Sequence, residues 1–313
     1  MKTLRLYLKT CVGEKREKLL MFGEGAKKHG VNVDYYMGTE FQASDYAMIF
    51  AYKSDDITSP SHLLRQQVVD KKKDKQIFFV DSNVLGYYER KNKAKKYRRI
   101  PYKSIHPHEA DFLPVDEDSF KRTEQVKKDL GLEIKPWRKS GEHILLSLNR
   151  GIGGFSSFGM PCYKWAREMV QKIRLYTDRK IIIRSHRHVK VTPALQQDRE
   201  NLDWILKNVK NVSLSSLESK DIIDDIKNAW ATVVYTTTSG AISLMEGVPV
   251  FTCHPACFYR LYGSGDIAQI ENPRLPDREQ FLTYYANAHW NLDEIKSGKL
   301  WEKFTRYKND TII

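Results

Sequence analysis

Cysteine is scarce in this sequence, and its scarcity excludes a covalently cross-linked fold. Only four cysteines occur in 313 residues, at positions 11, 162, 253 and 257. That is too sparse for a disulfide scaffold. Cys253 and Cys257 flank His254, but this is not the spacing of a zinc knuckle, and no second pair of Cys or His residues completes a tetrahedral ligand set. We therefore expect reduced, buried thiols and no bound metal.

Long apolar runs are missing as well. No stretch approaches the roughly 20 apolar residues that a membrane-spanning helix needs. The start of the chain, from Met1 to Lys9, alternates Lys or Arg with Leu and Tyr. That pattern is typical of a strand and differs from the apolar core of a signal peptide. These absences predict a cytoplasmic protein that does not insert into a membrane.

Acidic residues are outnumbered by basic ones. The chain has 52 Lys and Arg against 39 Asp and Glu, so its formal net charge is +13 and its pI about 9.4. This excess favours polyanionic partners such as nucleic acid, an anionic membrane or an acidic saccharide, and it does not choose among them. A generally basic, soluble surface explains the charge equally well.

The sequence does contain a regular alternation of strand-like and helix-like segments. Its length suits two domains. Strands are predicted at residues 2–8, 31–36, 47–52 and 77–80, and again at 143–148, 180–184, 212–214, 231–235 and 248–252, with helices between them. Such alternation favours parallel sheets that are covered on both faces. We therefore predict an α/β protein with two doubly wound, Rossmann-like domains facing a cleft.

The expected domain boundary lies in residues 133–142, which contain Pro136, Gly141 and several charges. This gives an N-terminal domain at 1–135 and a C-terminal domain at 136–285. The remaining residues, 286–313, belong to a segment that we predict to be helical from residue 277 onward.

Polar residues and glycines follow every predicted strand of the second domain, where an open parallel sheet binds its ligands. Glycine lets backbone N–H groups approach a phosphate, and hydroxyls at a helix N-terminus add donors in a field that favours anions. Arginine contacts phosphate through two parallel hydrogen bonds. The residues that follow the strands are Arg150 and Gly153, Arg184 and His186, Ser215, then Thr237, Thr238, Ser239 and Gly240, and finally Cys253 and His254.

Each of these features has a simpler explanation when it is taken alone. The glycine loop at 149–159 matches neither G-x-G-x-x-G nor a Walker A motif, so it could be an ordinary loop. Residues 236–239 could form a plain helix cap. Glu246 lies two helical turns after Ser239, where it could accept hydrogen bonds from sugar hydroxyls or be a surface residue. Their occurrence on successive strand ends favours a ligand site.

A family resemblance rests on residues 233–251, VVYTTTSGAISLMEGVPVF. This stretch resembles the donor-binding core of GT-B glycosyltransferases, in which a strand, a Ser/Thr/Gly turn and a short helix ending in Glu-Gly form the nucleotide-sugar site. The capsule-type enzymes and their phage relatives are the most similar. Residues 181–186, IIIRSH, resemble a second part of that site, although Arg187 stands where these proteins often have proline. Residues 288–304 are similar to their closing segment.

The resemblance implies a donor site made of Arg150, Arg184, His186, Thr237, Thr238, Ser239 and Glu246. It also implies a nucleotide-sugar donor, with a UDP-sugar expected, no tightly bound cofactor, and C-terminal helices that return toward the N-terminal domain. The acceptor's base should come from the N-terminal domain. We select Asp81, which ends an apolar strand. Capping of the turn at residues 81–83 is its alternative role, and His106 and His108 are the alternative bases.

A basic run at residues 90–103 lies in the predicted acceptor domain. Eight of its fourteen residues are Lys or Arg, none is acidic, and Tyr97 and Tyr102 lie among them. Cations interleaved with aromatic rings suit a phosphate backbone and exposed bases. We therefore favour phage DNA with hydroxymethylated bases as the acceptor, in the host cytoplasm. A solvated basic loop is the alternative. The cations assigned to DNA binding are Lys93, Lys95, Lys96, Arg98 and Arg99.

Three other functions stay open. A capsule or surface polysaccharide glycosyltransferase has the same donor site with a saccharide acceptor. A nucleotide-sugar 2-epimerase shares the fold and has no need of a basic patch. A non-catalytic DNA-binding protein would bind DNA without consuming a nucleotide-sugar.

Overall fold

The computed structural model describes residues 1–52, 59–107, 109–110, 115–149, 159–186, 193–216 and 221–310. The chain divides into two compact units. Unit 1 holds Met1–Leu132 together with Leu282–Ile313, and unit 2 holds Glu133–Phe281. The acceptor-binding and donor-binding roles given to the predicted domains remain predictions.

Unit 1 is built on a four-stranded parallel sheet in the order β2-β1-β3-β4. Its strands are β1 (Thr3–Tyr7), β2 (Asn32–Tyr36), β3 (Tyr46–Phe50) and β4 (Ile77–Val80). Alternate residues of each strand point to opposite faces. Leu4, Leu6 and Phe78 therefore pack with α1 (Glu14–Lys27), while Ile49 and Phe79 pack with α2 (Pro60–Lys71).

The rest of the N-terminal part of unit 1 carries α3 (Gly86–Lys91), the short strand β5 (Tyr97–Arg99) and α4 (Glu117–Leu130). Helix α4 begins with a capping box at Asp116 and ends at Gly131, whose φ of 58° is left-handed. This is the usual end of a helix, because glycine adopts that conformation without steric cost.

From Leu282, within helix α9 (Arg278–Ala288), the chain belongs to unit 1. Helix α9 leads into β11 (His289–Asn291), α10 (Leu292–Ser297) and α11 (Lys299–Asp310). Strand β11 pairs antiparallel with β5. Trp301 and Phe304 of α11 pack against Phe78 of β4, with ring centroids 5.5 and 4.8 Å apart. Strand β11 was not predicted in this segment, which was expected to be helical, and β5 was not predicted within residues 90–103.

Unit 2 is built on a five-stranded parallel sheet in the order β10-β9-β6-β7-β8. Its strands are β6 (His143–Ser147), β7 (Lys180–Arg184), β8 (Val212–Leu214), β9 (Ala229–Val234) and β10 (Val250–Thr252). Its helices are α5 (Cys162–Arg174), α6 (Pro193–Asn208), α7 (Ile222–Ile226) and α8 (Ser239–Met245). Ile144, Ile183 and Val233 lie in the core with Ala166 and Val170 of α5.

These two sheets confirm the predicted fold class, an α/β protein with a Rossmann-like parallel sheet in each unit. In the part of the chain that the structure describes, no helix is both long and apolar enough to cross a membrane.

Candidate functional site

The order of strands in unit 2 selects one place on its sheet for a ligand. After β6 the chain moves outward in one direction through β7 and β8, and then returns to β6's other side through β9 and β10. The direction therefore changes between β6 and β9, and such a switch point opens a crevice at the carboxyl ends of the strands. We call this the carboxyl edge of the unit 2 sheet.

Asn149 and Thr236 join the two strands at the switch point. The Asn149 side-chain amide donates to Thr236 Oγ1 over 2.8 Å, and Asn149 Oδ1 accepts from the Thr236 backbone N–H over 3.1 Å. Asn149 follows β6 and Thr236 follows β9, so one amide fixes both strand ends. Asn149 was not among the donor residues predicted from the sequence, although it is the first polar residue after its strand.

Tyr259 supports the turn that follows Thr236. The Tyr259 hydroxyl donates to the Thr237 carbonyl, and a Cβ atom on Gly240 would lie only 2.4 Å from that hydroxyl oxygen. Glycine is therefore required at position 240. Ser239 is buried, and its hydroxyl donates to Ser147 Oγ over 2.9 Å.

Thr238 stands at the N-terminus of α8 with an exposed side chain that makes no capping hydrogen bond. The helix-cap role that was considered for residues 236–239 therefore does not describe Thr238. Thr237 is half-buried beside it. Of the predicted donor residues, these two threonines, Ser239 and Gly240 lie together at the carboxyl edge.

The sequence predicted that Arg184 binds the donor. In the structure, however, Arg184 does not lie open to a ligand. It is only 9% exposed, and its guanidinium forms an ion pair with Asp225, which is 6% exposed. Ser215 donates to the same Asp225 carboxylate over 2.6 Å, and the Asp225 carbonyl accepts from His143. Burial lowers the pKa of His143, so its ring stays neutral. Asp225 is 41 residues from Arg184, and nothing local in the sequence indicates their pairing.

Glu246 is buried, with 7% of its surface exposed, and it forms an ion pair with Lys135. It follows the last residue of α8, about 10 Å from the start of that helix. Next to it, Gly247 has a φ of 74°, and a Cβ there would lie 2.1 Å from the Pro136 carbonyl oxygen. The chain at 135–138 therefore packs over Glu246. The alternative role for Glu246, an exposed surface residue, does not describe it.

His254 follows β10 and lies against Tyr235, with ring centroids 4.8 Å apart. Its Nδ1 accepts from the Ala256 backbone N–H over 3.1 Å. Burial raises the pKa of Cys253 and of Cys257 to about 12, so both thiols stay protonated at neutral pH. In the described ranges, no group of three His, Cys, Asp or Glu residues could hold a metal ion.

The remaining donor predictions have different positions. His186 is exposed just beyond β7. Arg150 and Gly153, like Arg187 and the alternative base His108, lie outside the described residues.

Asp81 lies at the carboxyl end of β4 in unit 1. Its Oδ1 accepts from the Ser82 backbone N–H over 2.7 Å, which is the turn contact named as its alternative role. Its Oδ2 lies 3.4 Å from Arg99 Nη1, and 44% of its side chain is exposed. The carboxylate is therefore held in place and still reaches solvent.

The basic run presents fewer groups to a partner than its sequence suggests. Arg99 is 2% exposed, and it donates to Asp81 and to the Ile105 carbonyl, so it cannot contact a phosphate. Tyr97 and Tyr102 are also buried and cannot stack on bases. Arg98 is mostly buried and lies 3.4 Å from Glu89. The exposed members of the DNA-binding set are Lys93, Lys95 and Lys96.

Comparison with known proteins supports the fold. Two solved structures, the β-Kdo 2,4 transferase and the β-Kdo 2,7 transferase of Thermosulfurimonas dismutans KpsC, both match this chain with a TM-score of 0.50. The first is 11% identical and covers 92% of this chain and 90% of its own. The second is 14% identical and covers 98% of this chain and 100% of its own.

A third structure, Staphylococcus aureus MnaA with UDP, is 10% identical and covers 99% of this chain and 97% of its own, with a TM-score of only 0.33. No protein-family model matches the sequence, and no curated protein matches it. The structural neighbours at a TM-score of 0.50 are glycosyltransferases of the GT-B type, and this chain shares their fold.

Proposed function

We propose that this chain is a glycosyltransferase that takes a sugar from a nucleotide-sugar, with a UDP-sugar as the donor. The observation that carries the proposal is the arrangement at the switch point of unit 2. There the Asn149 amide links two strand ends, and the turn at 237–240 presents Thr237 and the exposed Thr238 at the start of α8. Hydroxyl and N–H donors at a helix N-terminus suit the diphosphate of such a donor.

In the proposed reaction, an acceptor hydroxyl oxygen bonds to the anomeric carbon of the donor sugar. The bond from that carbon to the diphosphate oxygen breaks, and the diphosphate leaves with the electron pair. A base removes the acceptor's proton, and Asp81 is the proposed base. Donors at the carboxyl edge of the unit 2 sheet stabilise the charge that develops on the leaving diphosphate. Arg150, Gly153 and His186 belong to the same proposed donor set.

The proposed role of Glu246, by resemblance, is to accept hydrogen bonds from hydroxyls of the donor's sugars. Lys135 forms an ion pair with this carboxylate and holds it in place. Arg184 is proposed to support the edge through Asp225 and to make no direct contact with the diphosphate.

Changing Asn149 to Asp tests the diphosphate site. Aspartate has the same shape and can still accept the Thr236 N–H, but it places a negative charge at the carboxyl edge of the unit 2 sheet. Repulsion between the introduced carboxylate and the diphosphate should weaken the binding of UDP or a UDP-sugar by about tenfold or more. The measurement is calorimetric titration of both proteins.

A matched control adds the same charge elsewhere in unit 2. Asn272 is exposed and follows Glu271, which pairs with Arg179 directly before β7, at the opposite edge of the sheet. Asn272→Asp should bind UDP like the wild type. Equal affinities for wild type, Asn149→Asp and Asn272→Asp would remove the carboxyl edge from the donor site.

A saccharide is the acceptor that we propose. The matched structures with a TM-score of 0.50 are described as β-Kdo transferases. Tyr97, Tyr102 and Arg99 are buried, so they cannot contact the bases or phosphates of a nucleic acid. This weakens the argument for a nucleic-acid acceptor.

DNA with hydroxymethylated bases, as encoded by a phage, is the second candidate acceptor, because Lys93, Lys95 and Lys96 are exposed. If they grip phosphates, DNA affinity should fall with salt with a log–log slope of about −0.9 for each phosphate contacted. Changing the three lysines to Gln should flatten that slope and leave UDP binding unchanged. The measurement is DNA affinity at several salt concentrations. Identical slopes for the two proteins would exclude this candidate.

A further inference from the structure

Lys18, in α1 of unit 1, is a buried cation with no ion-pair or hydrogen-bond partner among the described residues. Its residue is only 8% exposed, yet no described residue accepts a hydrogen bond from its ammonium or forms an ion pair with it. Its Nζ is not one of the fully enclosed side-chain atoms, so it still reaches solvent. Lysine is rarely buried unless it is paired, because removing an ammonium from water is costly.

Two other lysines of unit 1 are buried to a similar degree, and both are paired. Lys72 is 4% exposed and donates to the Ser44 carbonyl over 2.6 Å and to Asp74 over 3.1 Å. Lys303 is 5% exposed and pairs with Asp116. Lys18 differs from both, because no described carboxylate forms an ion pair with it.

Other cations surround the Lys18 ammonium. Burial and the charges of Arg98 and Lys96 lower its pKa, whereas Glu14 and Glu89 raise it. Lys96 lies 3.8 Å from Glu14, and both side chains are exposed.

The nearby carboxylates are already in use. Glu89 accepts from the Asn83 amide over 2.8 Å and from the Tyr97 backbone N–H over 3.0 Å, and it lies 3.4 Å from Arg98. Glu14 faces Lys96. The positive charge of Lys18 is therefore left without a dedicated counter-charge in this cluster.

This cluster lies at the end of the unit 1 sheet where Asp81 is found. Helix α1 starts soon after the carboxyl end of β1, and Lys18 is its fifth residue. Arg98 precedes Arg99, whose carbonyl accepts from the Asp81 backbone N–H over 2.8 Å. The N-terminus of α1, a helix of 14 residues, adds a further field that favours an anion.

We propose that Lys18, with Lys96 and Arg98, binds the carboxylate or phosphate of an acidic saccharide, which is the acceptor. The proposal names the acceptor class and so rests on the glycosyltransferase function above. An anionic group here supplies the counter-charge that Lys18 lacks, and it brings a neighbouring hydroxyl of the same saccharide toward the edge that carries Asp81.

The test compares wild type with Lys18→Met and with Lys28→Met, which removes an exposed lysine from the C-terminal end of the same helix. Each protein is titrated with methyl glucuronide, glucose 6-phosphate and the neutral methyl glucoside, with UDP present to occupy the donor site. The two acidic sugars should bind wild type and Lys28→Met, and Lys18→Met should bind them about tenfold or more weakly. The neutral glucoside should not distinguish the three proteins.

Thermal unfolding of the same proteins adds an independent readout. Because Lys18 is buried and no described residue pairs with it, Lys18→Met should keep or raise the melting temperature, and Lys18→Arg should keep binding of the acidic sugars. A marked fall in melting temperature would mean that the ammonium has a structural role and would overturn the proposal. Acidic-sugar binding that is absent in wild type, or equal in wild type and Lys18→Met, would overturn it too.

The two proposals fail in different ways. If UDP-sugars bind but Lys18→Met behaves as wild type, only the anion site is wrong. If UDP-sugars never bind while acidic sugars still depend on Lys18, only the transferase function is wrong. If Lys18→Met weakens binding of a DNA duplex and leaves glucuronide binding unchanged, the anion is nucleic acid, and the saccharide proposal is overturned.

Discussion

Replacing Asp225 with alanine should destabilise unit 2 by roughly 3–5 kcal/mol, the usual cost of leaving a buried charge without its partner. Arg184 is 9% exposed and Asp225 is 6% exposed, so the remaining guanidinium would have little access to water. Ser215 would lose its acceptor at the same time. The measurement is the free energy of unfolding in urea for wild type and variant.

A second variant separates the ion pair from the packing around it. Changing Arg184 to Met together with Asp225 to Leu removes both charges and keeps most of the volume, so it should cost less than Asp225→Ala alone. If the single and the double variants were equally unstable, the pairing of Arg184 with Asp225 would not be the reason for the loss. A stable Asp225→Ala variant would restore Arg184 as an open anion ligand.

Changing Asp81 to Asn should lower the rate of sugar transfer by about 10²- to 10⁴-fold, the usual contribution of a general base. Asparagine can still accept the Ser82 N–H, so the turn should survive while the ability to take a proton is lost. The measurement is the transfer rate at saturating donor and acceptor, with UDP binding measured beside it.

The control for this variant addresses the ion pair with Arg99. Asp81→Asn weakens that contact, although Arg99 keeps its bond to the Ile105 carbonyl. Because Arg99 is 2% exposed and loses its counter-charge, the melting temperature should fall, whereas the UDP affinity should change little. Transfer within a few-fold of wild type would leave Asp81 as a turn residue, and the base would have to be sought elsewhere.

The parallel sheets were predictable because their strands have a recognisable local sequence pattern. Residues 181–183 are three consecutive isoleucines, and residues 77–80 are all apolar, as in strands buried on both faces. The Ser/Thr/Gly turn at 236–240 was predictable too, because it directly follows such a strand. The short strand β5 was missed because its partner β11 lies about 190 residues later, and its sequence, YRR, reads as part of a basic run.

The charged residues were harder to place, because a cation's partner can lie far away in sequence. Arg184 is paired with Asp225, Arg99 with Asp81, and Glu246 with Lys135, which is 111 residues from it. A local motif indicates the residue type that a site needs, but it does not show whether that side chain already forms an ion pair with another residue of the protein. Asn149 was missed for the opposite reason, since a lone asparagine after a strand carries no motif.

Sugar transfer itself is the most direct test of the whole account. The wild-type protein is incubated with UDP-, GDP-, CMP- or ADP-sugars, with and without glucuronide-terminated saccharides, and the products are identified by mass spectrometry. We expect that one donor, a UDP-sugar, is consumed, that UDP is released, and that the saccharide gains the mass of the sugar. An epimer formed from the UDP-sugar alone would contradict transfer and favour a 2-epimerase. Binding of DNA with no consumption of any nucleotide-sugar would contradict the account entirely.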